Sequence, residues 1–281
     1  MKEVSSTYIV QDGKNKQEPT RLMIHDQMIT TAMGGVLAEQ TDPTAFRRVL
    51  DIGCGTGGWL IEAAKSYPKM SLVGIDISQK MVKYARLQTE ANQVSDRVEF
   101  HVMDALQALE FPAAFFDLVN LREGVSFLRT WDWPKLLVEL LRVTRLGGVI
   151  RVTDGEVTYQ SNSPALTQLY EMLLCAFFRS GRLFTQESTG LTSHLAQLLH
   201  QRGCQQVQTK AYAIEYRVGT PEGEAYYEDI MLGFQTIRPF IEKYGCANKD
   251  YKAIYQQALD EMHQPDFMAV GHLLTVWGSR P

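Results

Sequence analysis

The chain has 281 residues, 45% of them apolar, and a formal net charge of −4 from 28 lysines and arginines against 32 aspartates and glutamates. That balance, with no long basic run, argues against affinity built on many phosphate contacts, so nucleic acid is not an expected partner. The N-terminus lacks an apolar signal core and no apolar run reaches the roughly 18 residues of a spanning helix, so a cytoplasmic protein without a membrane partner is expected.

Residues 1–20 are polar, with Gly13 and Pro19 as breakers, and are expected to form a flexible arm. From Thr20 to Gly34, Leu22, Met23, Ile29 and Met33 alternate with polar residues, which permits an amphipathic helix ending at the Gly34–Gly35 pair. "RVLDIG" predicts a first strand, and "GWLIEAAKSYP" a helix stopped by Pro68. "SLVGIDI" predicts the next strand, and Ser78 caps the helix "QKMVKYARLQTEANQ". "VEFHVMDA" and "FDLVNL" supply two more strands. "WPKLLVELLRVTRLGG" predicts a helix capped by Asp132 and stopped at its glycine pair, followed by the strand "VIRVTDG". Strands alternating with helices at this spacing imply a parallel sheet with helices on both faces and ligands beyond the carboxyl ends of the strands.

The later chain departs from that alternation. "SPALTQLYEMLLCAFFRSG" carries Leu166, Leu169, Tyr170, Leu173, Leu174, Phe177 and Phe178 at helical spacing behind Pro164. "TSHLAQLLHQRG" is a further helix, "VQTKAYAIEYRV" a strand, "GEAYYEDIMLGFQTIRPFIEKYG" and "NKDYKAIYQQALDEMHQP" two helices, and "FMAVGHLLTVWGS" the last strand. The fold class is α/β: a doubly wound, Rossmann-like sheet of seven strands, mostly parallel with the last antiparallel, carrying helical insertions.

The chemistry concentrates in "DIGCGTGG", Asp51 to Gly58. Gly53, Gly55 and Gly58 satisfy G-x-G-x-x-G, the dinucleotide fingerprint, with Asp76 near the distance at which such a motif places its ribose acid. A glycine turn between strand and helix brings ligand atoms close to backbone N–H groups but does not say which ligand. The acids choose. Asp51, two residues before the first glycine, would add negative charge beside a pyrophosphate, whereas a cationic ligand tolerates it. Asp76 can accept from two ribose hydroxyls and Asp104, in "VMDA", from an adenine amine. Three carboxylates at three successive strand ends suit a positively charged nucleoside.

At these residues the chain resembles the class I S-adenosylmethionine-dependent methyltransferases, and within them the ubiquinone/menaquinone-type small-molecule group. "VLDIGCGTGG" matches the family's first motif, "VGIDIS" its acidic ribose motif and "VMDA" its adenine motif. "FDLVNLREG" matches the fourth strand and "LLRVTRLGGVIRVTD" the helix, turn and fifth strand, with Leu146 where many members have proline. The resemblance implies that Gly53 and Gly55 approach the methionine part of S-adenosylmethionine, Asp76 and Ile77 the ribose, and Asp104 and Ala105 the adenine. Asn120, Leu121 and Arg122 would line the cofactor from the sheet, with Asp51 beside it. Because the helix before the first strand often closes over the cofactor in these families, Arg21 and His25 of "RLMIHDQMIT" are candidate contacts. The implied organisation is a single methyltransferase domain over 1–281: an arm and cap helix over 1–44, a cofactor-binding core over 45–155, lid insertions over 156–190 and 219–266, and completion of the core over 191–218 and 267–281.

Methyl transfer from a sulfonium needs an aligned acceptor, exclusion of water and, for a hydroxyl or acidic carbon, removal of a proton. Glu123, Asp154 and Glu156 follow strand ends where the acceptor should lie and are the candidate bases. The aromatic-rich insertions suit an enclosed pocket for a small-molecule acceptor, with O-methylation favoured over C- or N-methylation. The loop "NLREG" also lacks the N-P-P-Y-type sequence associated with methylation of planar nitrogens. No metal site is expected, since His194 and His200 lack the i, i+4 spacing of helical ligands. Cys54 has no evident base beside it. The four cysteines, Cys54, Cys175, Cys204 and Cys246, include no C-x-x-C pair and read as reduced, mostly packed thiols. The alternatives are a noncatalytic S-adenosylmethionine or nucleoside binder and an NAD-dependent oxidoreductase. A monomer or homodimer is expected.

Overall fold

The computed structural model describes residues 7–10 and 17–281. Most of the expected flexible arm, residues 1–6 and 11–16, lies outside the described residues. Five parallel strands form the centre of the sheet: β1 (Arg48–Ile52), β2 (Ser71–Asp76), β3 (Val98–Val102), β4 (Phe116–Arg122) and β5 (Thr144–Gly155), in the order β3-β2-β1-β4-β5. A short β6 (Gln160–Ser161), a long β7 (Gln205–Arg217) and β8 (Met268–Ser279) complete it. β8 runs antiparallel to β5, and β7 antiparallel to β8 on its other edge. β6 pairs with Ala269 and Val270, residues whose opposite edge is taken by β7, so it continues the β5 side of β8. The expected seven-strand, mostly parallel sheet is present, with β6 as an eighth, two-residue strand.

Register explains the burial. Leu50, Val119 and Ile150 are cross-strand neighbours, as are Ile52, Leu121 and Val152, and all six are fully buried on one face. Val49 and Leu118 face the other way, towards α2 (Gly58–Ser66) and α3 (Gln79–Ala91). Both faces being covered, these strands read as near-continuous apolar runs. Ser78 caps α3 as expected, its Oγ accepting from Met81 N–H. α4 (Trp133–Val143) ends before the glycine pair: Thr144 turns extended, its hydroxyl donates to Leu140 O at 2.7 Å, and the "TRLGG" segment opens β5 by pairing Thr144 with Phe116. Nor does the Asp132 carboxylate cap that helix; it accepts from Arg129 N–H at 2.9 Å instead.

α1 (Glu18–Ala32) precedes the sheet, and α5 (Pro164–Arg179), α6 (Thr192–Gln201), α7 (Pro221–Lys243) and α8 (Tyr251–Glu261) follow it. The start of α5 is tied to the end of α8 by Glu261, which accepts from Ser163 Oγ at 2.6 Å and from Ala165 N–H at 3.0 Å. α5 meets α7 through the Tyr170–Tyr226 hydroxyl pair, 3.0 Å apart, and an edge-on Phe177–Phe240 contact. Among the described residues no helix is long and apolar enough to cross a membrane.

The expectation of four free thiols is corrected here. Cys175 of α5 and Cys246, just beyond α7, form a disulfide, whereas Cys54 and Cys204 are free. The pairing spans 71 residues and needs α5 and α7 side by side, which no local spacing announces. Alkylation of the unfolded, unreduced protein should label two cysteines, and four after reduction. Closing so long a loop should contribute roughly 2–4 kcal/mol; an unchanged unfolding midpoint on reduction would contradict that contribution.

Candidate functional site

The glycine loop leaves β1 at Ile52 and is held from below. Cys54 N–H donates to Ile75 O at 2.9 Å, fastening the loop to β2. Gly55 N–H donates to Asp76 Oδ2 at 3.0 Å, and Ser78 N–H to Asp76 Oδ1 at 2.7 Å. Each carboxylate oxygen keeps a free lone pair, enough for two vicinal hydroxyls. Burial raises the Asp76 pKa against the pull of these two amides. Gly55 adopts φ +53° and a side chain there would meet nothing within 4 Å, so its face is open to a ligand. Gly53, at φ +68°, would instead press on the Phe127 ring at 3.0 Å, and Gly58 on the Asp26 carboxylate at 2.3 Å. Asp104 closes its own turn by accepting from Leu106 N–H at 2.9 Å, while Met103 N–H donates to Asp76 O at 3.0 Å and keeps the β2 and β3 ends adjacent. Ile77 and Ala105 are half-buried beside them. Burial, then the charges of Asp76 and Asp51, push the Cys54 thiol up, so it is no nucleophile.

Asp51 and Asn120 are placed differently. With Arg151 they are cross-strand neighbours on β1, β4 and β5, and they form a buried polar chain. Asn120 donates to Asp51 Oδ1 at 2.7 Å and accepts from Arg151 at 2.7 Å, and Arg151 pairs with Glu39 at 2.7 Å. Leu121 lies in the apolar core on the opposite face. Burial raises the Asp51 pKa to about 7, against the Asn120 hydrogen bond and the Arg122 charge. Arg122, at the end of β4, reaches α1 instead: it pairs with Asp26 at 2.9 Å and donates to Thr30 Oγ1 at 3.0 Å.

Across the strand ends lies a second cluster. Glu123 holds a left-handed backbone, φ +52°, uncommon for a side-chain residue and characteristic of functional turns. Asp154, fully buried, accepts from Val125 N–H at 3.1 Å and Gly155 N–H at 3.2 Å, and so builds the turn that presents Glu123. Burial and the Glu123 charge hold its carboxyl well above the usual range. Glu156 turns to Ser188, accepting from its hydroxyl at 3.4 Å, and is not brought to the other two acids by any such bond. His25 spans the cluster, with Nδ1 at 2.9 Å from Asp229 of α7 and Nε2 at 4.0 Å from Glu123. Arg21 pairs with the other Asp229 oxygen at 3.1 Å and with Glu18 at 2.8 Å. Burial pushes His25 down, but Asp229 and Glu123 more than reverse this and raise it to about 10. Burial pushes Asp229 up, yet His25 and Arg21 keep it below the usual carboxylate range.

Four tyrosines adjoin these charges. Tyr159 lies between Tyr170 and Tyr226, with centroids at 5.0 and 5.4 Å, and Tyr226 stacks on Tyr216 at 4.2 Å. Tyr159 rests flat on β8 because Gly271 has no side chain; a Cβ there would meet the ring at 2.2 Å. Asp229, Asp26 and Tyr216 escaped the sequence reading. Asp229 and Tyr226 stand three apart in "YYEDIM", one turn of α7, and an acid on the apolar stripe of a helix was the available signal.

Comparison with known proteins shows what this arrangement is similar to. Residues 49–148 match the family described as "Methyltransferase domain". Over those residues the chain is similar to methyltransferase domains. The chain is 36% identical over 104 residues to the ajmaline N-methyltransferase of Rauvolfia serpentina, covering 37% of this chain and 34% of that protein. It is 38% identical over 102 residues to the demethylmenaquinone methyltransferase of Deinococcus radiodurans, covering 36% and 40% respectively. The match thus spans well under half the length of either relative. A solved structure of phosphoethanolamine N-methyltransferase 2 from Haemonchus contortus is similar in fold over 99% of this chain and 61% of its own, at TM-score 0.58 and 17% identity.

The residues fit the methyl donor that the sequence resemblance implies: an open glycine face, a carboxylate with two free lone pairs one strand away, and Asp104 at the next strand end. Among the α1 residues, Asp26 touches the loop, while Arg21 and His25 join α1 to α7.

Because the His25 pKa is raised, the stabilisation by its pairing is complete below the ordinary imidazole value of 6.5 and is lost as pH rises through about 10. Nuclear magnetic resonance should find the His25 ring protonated throughout neutral pH. Asp229→Asn should return it towards the ordinary range and cost roughly 3 kcal/mol by stranding buried cations. A neutral His25 at pH 7 in the wild-type protein would refute this arrangement.

Proposed function

We propose that this chain is an S-adenosylmethionine-dependent methyltransferase acting on a small organic molecule, with O-methylation ahead of C- or N-methylation. The observation that carries this reading is the Gly55–Asp76 pair, an unfilled backbone face beside a carboxylate whose two oxygens are oriented by amides. Bound there, S-adenosylmethionine supplies a methyl group on a positively charged sulfur, open to in-line displacement with a neutral thioether leaving. Gly53 and Gly55 would approach its methionine part, Asp76 and Ile77 its ribose, and Asp104 and Ala105 its adenine. Asp51 would stand one layer below, where a cation above the loop favours its charged form.

The chain's own work is orientation, exclusion of water and handling of one proton. α1 covers the strand ends, held by Arg122 at one point and by Asp229 at another, and the helical insertions over 156–190 and 219–266 complete the lid. Glu123 would take a proton from an acceptor hydroxyl, a reading supported by its 30% side-chain exposure and its position 4.0 Å from the His25 ring. Asp154 acts through the turn it builds. The need for such a base is what puts oxygen ahead of an amine, which requires none once neutral.

The test is a metabolite extract incubated with the protein and methyl-labelled donor, read for labelled small molecules. Once an acceptor is found, Glu123→Gln should lower kcat about 100-fold with little change in the KM for the donor. An undiminished kcat would remove Glu123 as the base, and label appearing only on polymer would overturn the small-molecule reading.

A further inference from the structure

We propose that Arg129 and Arg182 form a binding site for an anionic oxygen group, a carboxylate or phosphoryl oxyanion, carried by the methyl acceptor; the assignment to an acceptor rests on the methyltransferase reading above. Arg182, between α5 and α6, is 2% exposed. One of its terminal nitrogens, Nη2, donates to Thr7 O. Nε and Nη1 are buried without a hydrogen-bond partner, and so is Nε of Arg129. A guanidinium cannot shed its charge as a buried lysine does, so donors left this way carry an unanswered desolvation cost unless a ligand meets them.

The two arginines are neighbours. Thr130 N–H donates to Gly181 O at 2.7 Å, which sets the preceding and following residues, Arg129 and Arg182, on either side of that bond. Burial, and the charge of Arg129 after it, pull Arg182 down to about 10, against Tyr244 and Asp132. The Asp132 carboxylate, which acts on Arg182 in the opposite sense, already accepts from the backbone N–H of Arg129 at 2.9 Å. Two guanidinium groups thus stand close together beside Asp132. The Phe240 ring, 5.1 Å from the Arg182 guanidinium, covers it with apolar surface. In such surroundings charge-assisted hydrogen bonds to an oxyanion are at their strongest.

The location points to the acceptor. Thr7, whose carbonyl Arg182 holds, donates its hydroxyl to Phe127 O at 2.5 Å, and the Phe127 ring is the group that crowds Gly53 at 3.0 Å. Thr7 and Phe127 thus link the arginine pair to the cofactor loop. An acceptor whose reacting group faces that loop could extend its anionic end past Phe127 to the arginines. The donor's own carboxylate is the other source of the same chemistry.

The experiment uses the full chain and inorganic phosphate at constant ionic strength, with the unfolding midpoint as readout, in the absence and presence of saturating S-adenosylhomocysteine. The expected result is a saturable rise of the wild-type midpoint with phosphate that persists with S-adenosylhomocysteine bound. Arg182→Met and Arg129→Met should each weaken the phosphate response about tenfold while retaining S-adenosylhomocysteine affinity. Without phosphate, Arg182→Met should be at least as stable as wild type, because it removes an unanswered buried charge. Arg182→Lys keeps the charge and should show an intermediate response, which decides the matter if the methionine variant fails to fold. An equal phosphate response in all variants would overturn the site, and loss of the response when S-adenosylhomocysteine binds would assign it to the donor's carboxylate and overturn the acceptor role. Failure of S-adenosylhomocysteine to bind at all would refute the methyltransferase reading and overturn the acceptor role with it, while a phosphate response weakened in the arginine variants would still support the anion site.

Discussion

The arrangement of the site depends on one carboxylate taken out of water. Asp229 sits on the buried stripe of α7 with Arg21 on one oxygen and His25 on the other. An isolated carboxylate in that position would take up a proton; two cations keep it charged, and it keeps His25 charged in return. Because both cations lie on α1, the same three charges fix that helix over the strand ends. From there Asp26 reaches Gly58 and Arg122, and His25 reaches Glu123. Breaking such a buried set at one member strands the others, so it specifies one position of α1 more than it adds stability.

The sheet places its acids by register, and each strand end gives a different environment. Asp51 falls on the buried face of β1, joins Asn120 and Arg151 across the sheet, and has its pKa raised to about 7. Asp76 ends β2 with both oxygens turned to backbone amides. Asp154 is buried under the turn it builds, and Glu123, one strand away, remains accessible. Four carboxyl groups of similar intrinsic acidity thereby acquire separate environments through burial and partners alone. A dinucleotide's pyrophosphate would bring further negative charge to this edge of the sheet, whereas a sulfonium brings the opposite.

What the sequence made legible is what is encoded locally. The glycine loop, the Ser78 cap, the acid at the end of β2 and the helical spacing of α5 each lie within a short window, and each is present. Features that require distant segments were not legible. His25 and Asp229 are 204 residues apart, and Cys175 and Cys246 are 71 apart. Asn120 sits in a motif that the family resemblance assigns to the cofactor, but its pairing with Arg151 and Asp51 follows from the order β1-β4-β5, which no single strand states. The end of α4 at Val143 likewise reflects strand pairing of Thr144 with Phe116, which outweighed a helical pattern running on to the glycine pair.

The central claim is that the Gly55–Asp76 cradle holds a methyl-donor nucleoside. Isothermal titration of the wild-type protein and of Asp76→Ala with S-adenosylhomocysteine and with NAD tests it most directly. The account predicts one-to-one binding of S-adenosylhomocysteine at about micromolar affinity, weakened at least about 100-fold by the substitution, with no saturable heat from NAD. Saturable NAD binding without S-adenosylhomocysteine binding, or equal S-adenosylhomocysteine affinity in both proteins, would contradict it.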